Sequence, residues 1–458
     1  MNARVASGPA ATPAATPAAT PTANAHAPLA AFLSFLFPGL GQAYNGQSGL
    51  AWLLAAPIFF VVAGIAIGIA GSIALSRLLD VGFLLGLVVL DAAILAWRLV
   101  AIVQAHARLE RLNPRRWTSG VTAMIVLVTL GMHAVPGLYA LKAIDTLNSV
   151  SLGGGGGTTV GRIPGFSNLP IPSAQPDVTS GARVNILLVG IDALPQRTTQ
   201  LTDTMLVVSL DPLGHHSAMI SIPRDLYGVP LPNGKPYNAK LNSLMAVANA
   251  HPADYPMGGV GTLKATIGRL LGVQIHYFAA INLLGFKGAV DAIGGVDITV
   301  HRAIHDPTYS DEFGHRVGFN IVPGRYHMDG RTALAFVRSR KGTGDSDFTR
   351  ADRQQQLLTA LRAKLSARNL LLALPGLLDA VKDAVATDVP RDRLPQLAEA
   401  VQNADMSQLQ RIVLQPPTYM SVNAHSAAGY ILIPNLDAIR AIGEALLTEA
   451  SPSALASP

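Results

Sequence analysis

The residues best suited to chemistry are carboxylates and arginines at the ends of apolar segments. VNILLVGID, LTDTMLVVSLD and SAMISIPRD, between Val184 and Asp225, read as three strands. At or beside their ends they carry Asp192, Asp203, Asp211, Arg224 and Asp225. Short apolar runs bounded by turn residues suit buried strands, and open α/β sheets bind ligands at strand ends. Asp192 and Asp203 can meet across the sheet edge. A hard cation such as Mg²⁺ takes one or two carboxylates, keeps several waters and bridges to substrate phosphates. An aspartate after a strand is also a common turn cap, and spacing alone leaves both readings open. The cations are more telling. Arg224 lies in SIPRD, Arg338 and Arg340 in FVRSRK, Arg350 and Arg353 in DFTRADRQQQ, and Lys240 and Asn242 in YNAKLNS. Arg350 and Arg353 are spaced i,i+3 and share a helix face. Arginine suits a bidentate grip on phosphate. One arginine beside Asp352 would make a surface ion pair of little worth. Several of them, in three motifs each next to an apolar element, point to an anion site.

Other chemistries find less support. His215, His216, His301, His305, His315 and His327 suggest zinc, yet there is no HExxH, and His301 and His305 straddle a strand end. No GxSxG elbow supports a serine hydrolase. Nucleic acid is an unfavoured partner, because the cations cluster with acids and no binding motif occurs. The chain has no cysteine, which excludes a disulfide framework and thiolate metal sites.

The elements that must position these residues fall into several regions. The chain has 458 residues, 50% of them hydrophobic and only 14% charged, with a formal net charge of +6. Such apolarity points to membrane segments. Residues 1–27, almost entirely Ala, Pro and Thr, are expected to be disordered and not a signal peptide. Residues 28–145 are expected to form an all-α transmembrane region. A first segment broken by Pro38, Gly39 and Gly41 precedes spans near Leu50–Ser72, Leu79–Val103 and Ser119–Leu141, each meeting the need for about 20 residues. Its PGLGQAYNGQ resembles the start of the small membrane modules called TM2-like. The loop QAHARLERLNPRRWTSG holds Arg108, Arg111, Arg115 and Arg116 against Glu110 alone. The positive-inside rule places it in the cytoplasm, so the third span delivers the remainder to the outer face. Residues 146–182, with the run Gly153–Gly157, form a linker rather than a phosphate loop, since no GK[ST] follows. If flexible, about 34 such residues span roughly 30–35 Å. From residue 183 strands alternate with amphipathic helices, which predicts an α/β sandwich with one central sheet over 183–368. Residues 369–447 are expected to be a C-terminal helical extension on the same domain, with a strand near Arg411–Leu414.

Taken together, GID, DT, VSLD, ISIPRD, KLN, GTLKATIGRLLGV, IHYFAAINLLGFKGAVDAIGGVDI, MDGRTALAFVRSRK and DFTRADRQQQLL, in that order over roughly Val184–Leu365, resemble the LytR-CpsA-Psr family. The resemblance implies an α-β-α sandwich with a central mixed sheet. It implies a membrane-anchored phosphotransferase that moves a glycopolymer from a polyprenyl-pyrophosphate carrier to peptidoglycan on the outer face of the cell. It implies Mg²⁺ (or Mn²⁺) on Asp192 and Asp203, with Arg224, Arg338, Arg340, Arg350 and Arg353 neutralising the pyrophosphate. Asp225, Lys240, Asn242 and Asp291 would complete the polar shell, with Asp225 and Asp291 as candidate bases. Apolar residues of the GTLKATIGRLLG and NLLGFKGAVDAI helices would line a slot for the isoprenoid tail. Two alternatives share these residues: cleavage of the carrier with water as acceptor, and a non-catalytic binder of polyprenyl phosphates. The chain departs from the family pattern at Leu201, where many members carry a basic residue, and in having more than one membrane span.

Overall fold

The computed structural model describes residues 26–70, 75–111, 116–150, 176, 182–191, 201–211, 217–340, 345–364, 373, 376–380, 382, 384–405 and 408–448. Residues 1–25, the glycine run and Asp192 lie outside them. The chain divides into two compact units, one of residues 1–73 and 85–140, the other of residues 74–84 and 141–458.

The first unit draws on five helices: α1 (Ala27–Leu36), α2 (Leu40–Tyr44), α3 (Ser48–Ala70), α4 (Val81–Glu110) and α5 (Arg116–Val150). The Pro38-Gly39 break turns the chain sharply, with Gly39 at φ 102°. The amides of GQAYN then tie α2 to α4. Gln42 donates from Nε2 to the Ala101 carbonyl and to Gln104 Oε1, both at 2.8 Å, and Asn45 donates to the Ala105 carbonyl at 2.9 Å. Polar groups in so apolar a sequence need protein partners, and these amide N–H donors have them, while the buried Asn45 Oδ1 has none among the described residues. Val81–Glu110 and Thr118–Asn148 are long and apolar enough to cross a membrane. The other expected span is helical over Ser48–Ala70. Its Ser48–Phe60 part is a shorter apolar helix.

The second unit is an α/β/α sandwich. Its six-stranded mixed sheet has the order β10-β3-β2-β1-β4-β9, formed by β1 (Val184–Ile191), β2 (Thr202–Leu210), β3 (Ala218–Ser221), β4 (Tyr277–Asn282), β9 (Val385–Thr387) and β10 (Gln410–Val413). β1 is antiparallel to β2 and parallel to β4. Side chains alternate across β1, as a strand buried on both faces requires. Leu187, Val189 and Ile191 meet Val260, Leu263 and Ile267 of α7 (Gly258–Leu271), which follows α6 (Leu244–Ala250). Ile186 and Leu188 face the opposite layer. There Leu358 of α10 (Asp347–Lys364) and Val401 of α11 (Leu394–Asn403) pack on Leu206 and Val208. Outside this sheet, α8 (Leu283–Ala292) and α9 (Gly330–Arg338) flank a second core with β5 (Val296–Val300) and β8 (Gly324–Met328). β6 (Ile304–Asp306) pairs with β7 (Phe319–Ile321), and β11 (Met420–Ser426) with β12 (Gly429–Pro434), before α12 (Leu436–Leu447) closes the chain.

Residues beyond 368 are more than a helical extension. β9 and β10 complete both edges of the central sheet. The strand expected near Arg411–Leu414 is β10. VDITV is a strand, as its alternation indicates, but it pairs with β8 rather than joining the main sheet.

Candidate functional site

Asp203 is placed by a fault in the sheet. β1 and β2 run in register until Gly190 pairs with Thr204 and Ile191 with Thr202, so Asp203 is the extra residue of a bulge. A bulge re-aims a side chain and frequently borders a site. Arg224, three residues past β3, reaches back to it: Nη1 donates to Asp203 Oδ1 at 2.6 Å. Its Nε donates to Asp347 Oδ2 at 3.3 Å and stands 3.7 Å from Asp225 Oδ2. Asp225 in turn pairs with Lys240 at 2.9 Å. Arg224 is thus the hub of three carboxylates. Burial alone would lower its pKa, but Asp203, Asp347 and Asp225 outweigh burial and hold it above its ordinary value.

Helix α10 brings the next arginine. Its N-terminal Asp347 lies 3.4 Å from Arg350, and Arg350 Nη2 donates to the Asp203 carbonyl at 3.3 Å. Arg350 is buried, and its Nε has no hydrogen-bond partner among the described residues. Burial depresses its pKa, Asp347 offsets this only partly, and Arg224 adds to the depression. An anion between Arg224 and Arg350 would relieve the desolvation and repulsion alike.

Arg224, Arg338, Arg340 and Arg350, with Asp203 and Asp306, are among the residues lining a cavity of about 880 Å³. That volume is in the range of small-molecule sites. Four arginines and two carboxylates line the cavity, and Asp347 and Asp225 pair with Arg224 from outside its wall. Arg338 lies over the Tyr309 ring at 5.9 Å and donates to the Ser310 carbonyl at 3.3 Å. The Asp306 carboxylate holds the arginine segment by accepting from the Ser339 hydroxyl at 2.9 Å and the Arg340 N–H at 3.3 Å. The rest of the cavity is mostly apolar: Leu188 and Leu206 from the sheet, Phe286 from α8, Leu334 and Val337 from α9, and Leu357 from α10. Of the two helices expected to line a tail slot, α8 does so. The GTLKATIGRLLG helix, α7, packs on the opposite face of the sheet.

The remaining residues separate. Arg353, the i,i+3 partner of Arg350, does not line the cavity. It is buried under the arginine segment, where it pairs with Asp345 at 3.2 Å, donates to the Ser339 carbonyl and lies 5.6 Å from the Phe336 ring centroid. It supports Arg340 through the backbone. Asn242 donates its backbone N–H to the Arg224 carbonyl at 3.1 Å and so fixes the turn after β3. Asp291 stands apart: it accepts from the Gly330 N–H at 2.6 Å at the start of α9 and lines no part of the cavity. Gly330 is required there, since an added Cβ would lie 2.2 Å from the Lys287 carbonyl oxygen. Asp291→Ala is therefore expected to cost about 1–2 kcal/mol by orphaning that N–H, lowering Tm by a few degrees without altering affinity for a phosphate ligand. Thermal melting and ligand titration of the variant check this. Asp347 and Gln354 belong to the site although sequence reading passes them over. Gln354 donates to the Thr204 hydroxyl at 2.8 Å and to the Val337 carbonyl at 3.2 Å, joining β2 to α9. Their only signal is position, one turn before and one turn after Arg350 on the same helix face.

A divalent metal has a partial docking point. Asp203 uses Oδ1 for Arg224, and among the described residues no partner holds Oδ2. A magnesium site needs one or two carboxylates and takes its other ligands from water and phosphate. Asp203 suits that role, and Asp192, the other expected ligand, lies outside the described residues.

The LytR_cpsA_psr family model matches residues 170–440. The polyisoprenyl-teichoic acid–peptidoglycan teichoic acid transferase TagU of Bacillus cereus (strain AH820) is 31% identical over 217 residues, 47% of this chain and 64% of that protein. The chain thus spans slightly less than two thirds of that relative's length. The protein of the same name from Bacillus mycoides (strain KBAB4) is 30% identical over 226 residues, 49% of this chain and 67% of that protein. The crystal structure of Bacillus subtilis TagV superposes with a TM-score of 0.45 at 23% identity, covering 59% of this chain and 99% of TagV.

Proposed function

The chain belongs to the LytR-CpsA-Psr family, and we propose on that premise that it is a membrane-anchored phosphotransferase. In this reading it moves a glycopolymer from a polyprenyl-pyrophosphate carrier to peptidoglycan on the outer face of a multi-pass membrane anchor. The observation that carries the reading is a largely apolar cavity of about 880 Å³ whose lining includes four arginines. An amphiphile with a long hydrocarbon tail and a pyrophosphate head has that shape and charge. The teichoic acid transferases among the relatives support the same class of donor and acceptor.

The chemistry follows from the residues. The apolar walls hold the tail and fix the pyrophosphate at the arginines. An acceptor hydroxyl oxygen forms a new bond to the glycan-bearing phosphorus. The bond from that phosphorus to the bridging oxygen breaks, and polyprenyl phosphate leaves. The product is a phosphodiester between glycopolymer and acceptor. Phosphoryl transfer of this kind depends on positioning and charge neutralisation more than on covalent help. Arg224 and Arg350 take up the charge that grows on the leaving phosphate. The hydroxyl proton departs late in a loose transition state, so no strong base is needed. Asp225, beside Arg224, is the carboxylate placed to receive it. Asp203 and Asp192 would hold Mg²⁺ or Mn²⁺, which would add positive charge at the pyrophosphate.

Purified full-length chain, given polyprenyl-pyrophosphate-linked glycan, is expected to release polyprenyl phosphate only when a peptidoglycan acceptor is present. Chelation of divalent metal is expected to reduce the rate at least about a hundredfold, with recovery on adding Mg²⁺ or Mn²⁺. Equal release with and without acceptor would favour hydrolysis. Activity untouched by chelation would remove the metal from the account.

A further inference from the structure

One exposed aromatic ring, Tyr430, lies on the strand hydrogen-bonded to the segment after Arg224 and takes no part in the cavity. The β11–β12 hairpin is joined to the segment after Arg224 by two backbone hydrogen bonds. The Leu432 N–H donates to the Asp225 carbonyl at 3.0 Å, and the Tyr227 N–H to the Leu432 carbonyl at 2.9 Å. The resulting bridge between Leu226 and Leu432 is parallel. Residues before Leu432 therefore run on the same side as those before Leu226, which brings Tyr430 to the side of Arg224 and Asp225. Ile431 and Leu432 are buried, which anchors the strand, while Tyr430 is 43% exposed. Burial of part of the ring, with the negative charges of Asp225 and Asp347, raises the phenol above its ordinary value. It stays neutral at physiological pH and keeps its proton as a hydrogen-bond donor.

Direction of attack gives this ring a use. In-line displacement requires the attacking oxygen to approach opposite the leaving group. The leaving polyprenyl phosphate belongs to the cavity, which Arg224 lines and Asp225 and Tyr430 do not. The acceptor must come from the side of Arg224 turned away from that cavity. A pyranose offers an apolar C–H face and hydroxyls on its rim, and an aromatic ring beside carboxylates complements both. We propose that Tyr430 is the platform for the acceptor sugar, stacking on its C–H face and turning its hydroxyl toward Arg224 and Asp225. The proposal rests on the transferase reading above and assigns Tyr430 a positioning role in it.

The test uses the full-length chain in detergent, a synthetic polyprenyl-pyrophosphate disaccharide as donor and a short peptidoglycan glycan strand as acceptor at varied concentration. Tyr430→Ala is expected to raise the acceptor KM about tenfold, the size of one lost aromatic contact, with kcat and donor KM within about twofold of wild type. Tyr430→Phe, which keeps the ring, is expected to return the acceptor KM to within about threefold of wild type. An active Tyr430→Ala enzyme with unchanged acceptor KM, or failure of Tyr430→Phe to restore it, overturns the platform and leaves the transferase reading intact. Absence of transfer by the wild-type chain to any glycan acceptor overturns both.

Discussion

Replacing Arg224 with lysine is expected to lower the rate of glycan transfer by about a thousandfold, on the scale of losing one aligned cationic donor in phosphoryl transfer. The reason is geometric. Arg224 engages Asp203 through Nη1 and Asp347 through Nε, with Asp225 at 3.7 Å. Lysine keeps the charge but has one nitrogen and no planar fork, so it cannot serve these partners and a phosphate oxygen together. Lysine is the informative substitution because alanine would leave three carboxylates facing one another without their shared cation. That would threaten the fold as well as the chemistry. Stopped-time transfer assays beside thermal melting separate the two effects: the account requires a large rate loss with a small shift in Tm. A lysine variant with near wild-type rate would show that Arg224 only holds the carboxylates together.

The second large effect concerns the tail. Ala279 lies on β4 and lines the cavity. Ala279→Trp is expected to weaken binding of a long-chain polyprenyl phosphate at least about a hundredfold, because each CH₂ kept out of the cavity forfeits about 0.8 kcal/mol. Inorganic pyrophosphate, which has no tail, should bind both proteins alike. In the wild type, affinity should climb with each added isoprene unit and level off once about 880 Å³ is filled. Competition against a fluorescent polyprenyl phosphate measures all three. Uniform weakening of long-chain and tailless ligands would locate the damage at the arginines and not in the cavity.

Both predictions turn on residues that differed in how far the sequence exposed them. Arg224, Arg338 and Arg350 are legible as cations in motifs that each lie next to an apolar element. Arg353 was legible as a cation but not in its role. Its i,i+3 relation to Arg350 puts both on one helix face, yet only tertiary packing decides that Arg350 lines the cavity while Arg353 is held by Asp345 and Ser339. Asp291 follows the same logic in reverse, since nothing local indicates that its carboxylate is occupied by the Gly330 N–H. The bulge at Asp203 depends on the register between β1 and β2, which hydrophobic pattern alone does not resolve to a single residue.

The fold shows a similar division. The strands β1 to β4 and the helices α7, α8, α9 and α10 are written in local periodicity. Periodicity says that α7 has an apolar face but not which side of the sheet receives it, and α7 lies on the face away from the cavity. β9 is three residues long, and its partner β4 lies about a hundred residues earlier. The β11–β12 hairpin, with an exposed Tyr430 on it, has a mixed pattern whose meaning comes only from the bridge to Leu226.

The most direct test of the central claim is to run the reaction in isotopically labelled water and follow heavy oxygen into the products by mass spectrometry. Transfer to a sugar hydroxyl predicts a glycan–acceptor phosphodiester and a polyprenyl phosphate, neither carrying oxygen from solvent. Heavy oxygen in either phosphate, with no diester formed, would contradict the account, because the chain would then be splitting the pyrophosphate with water.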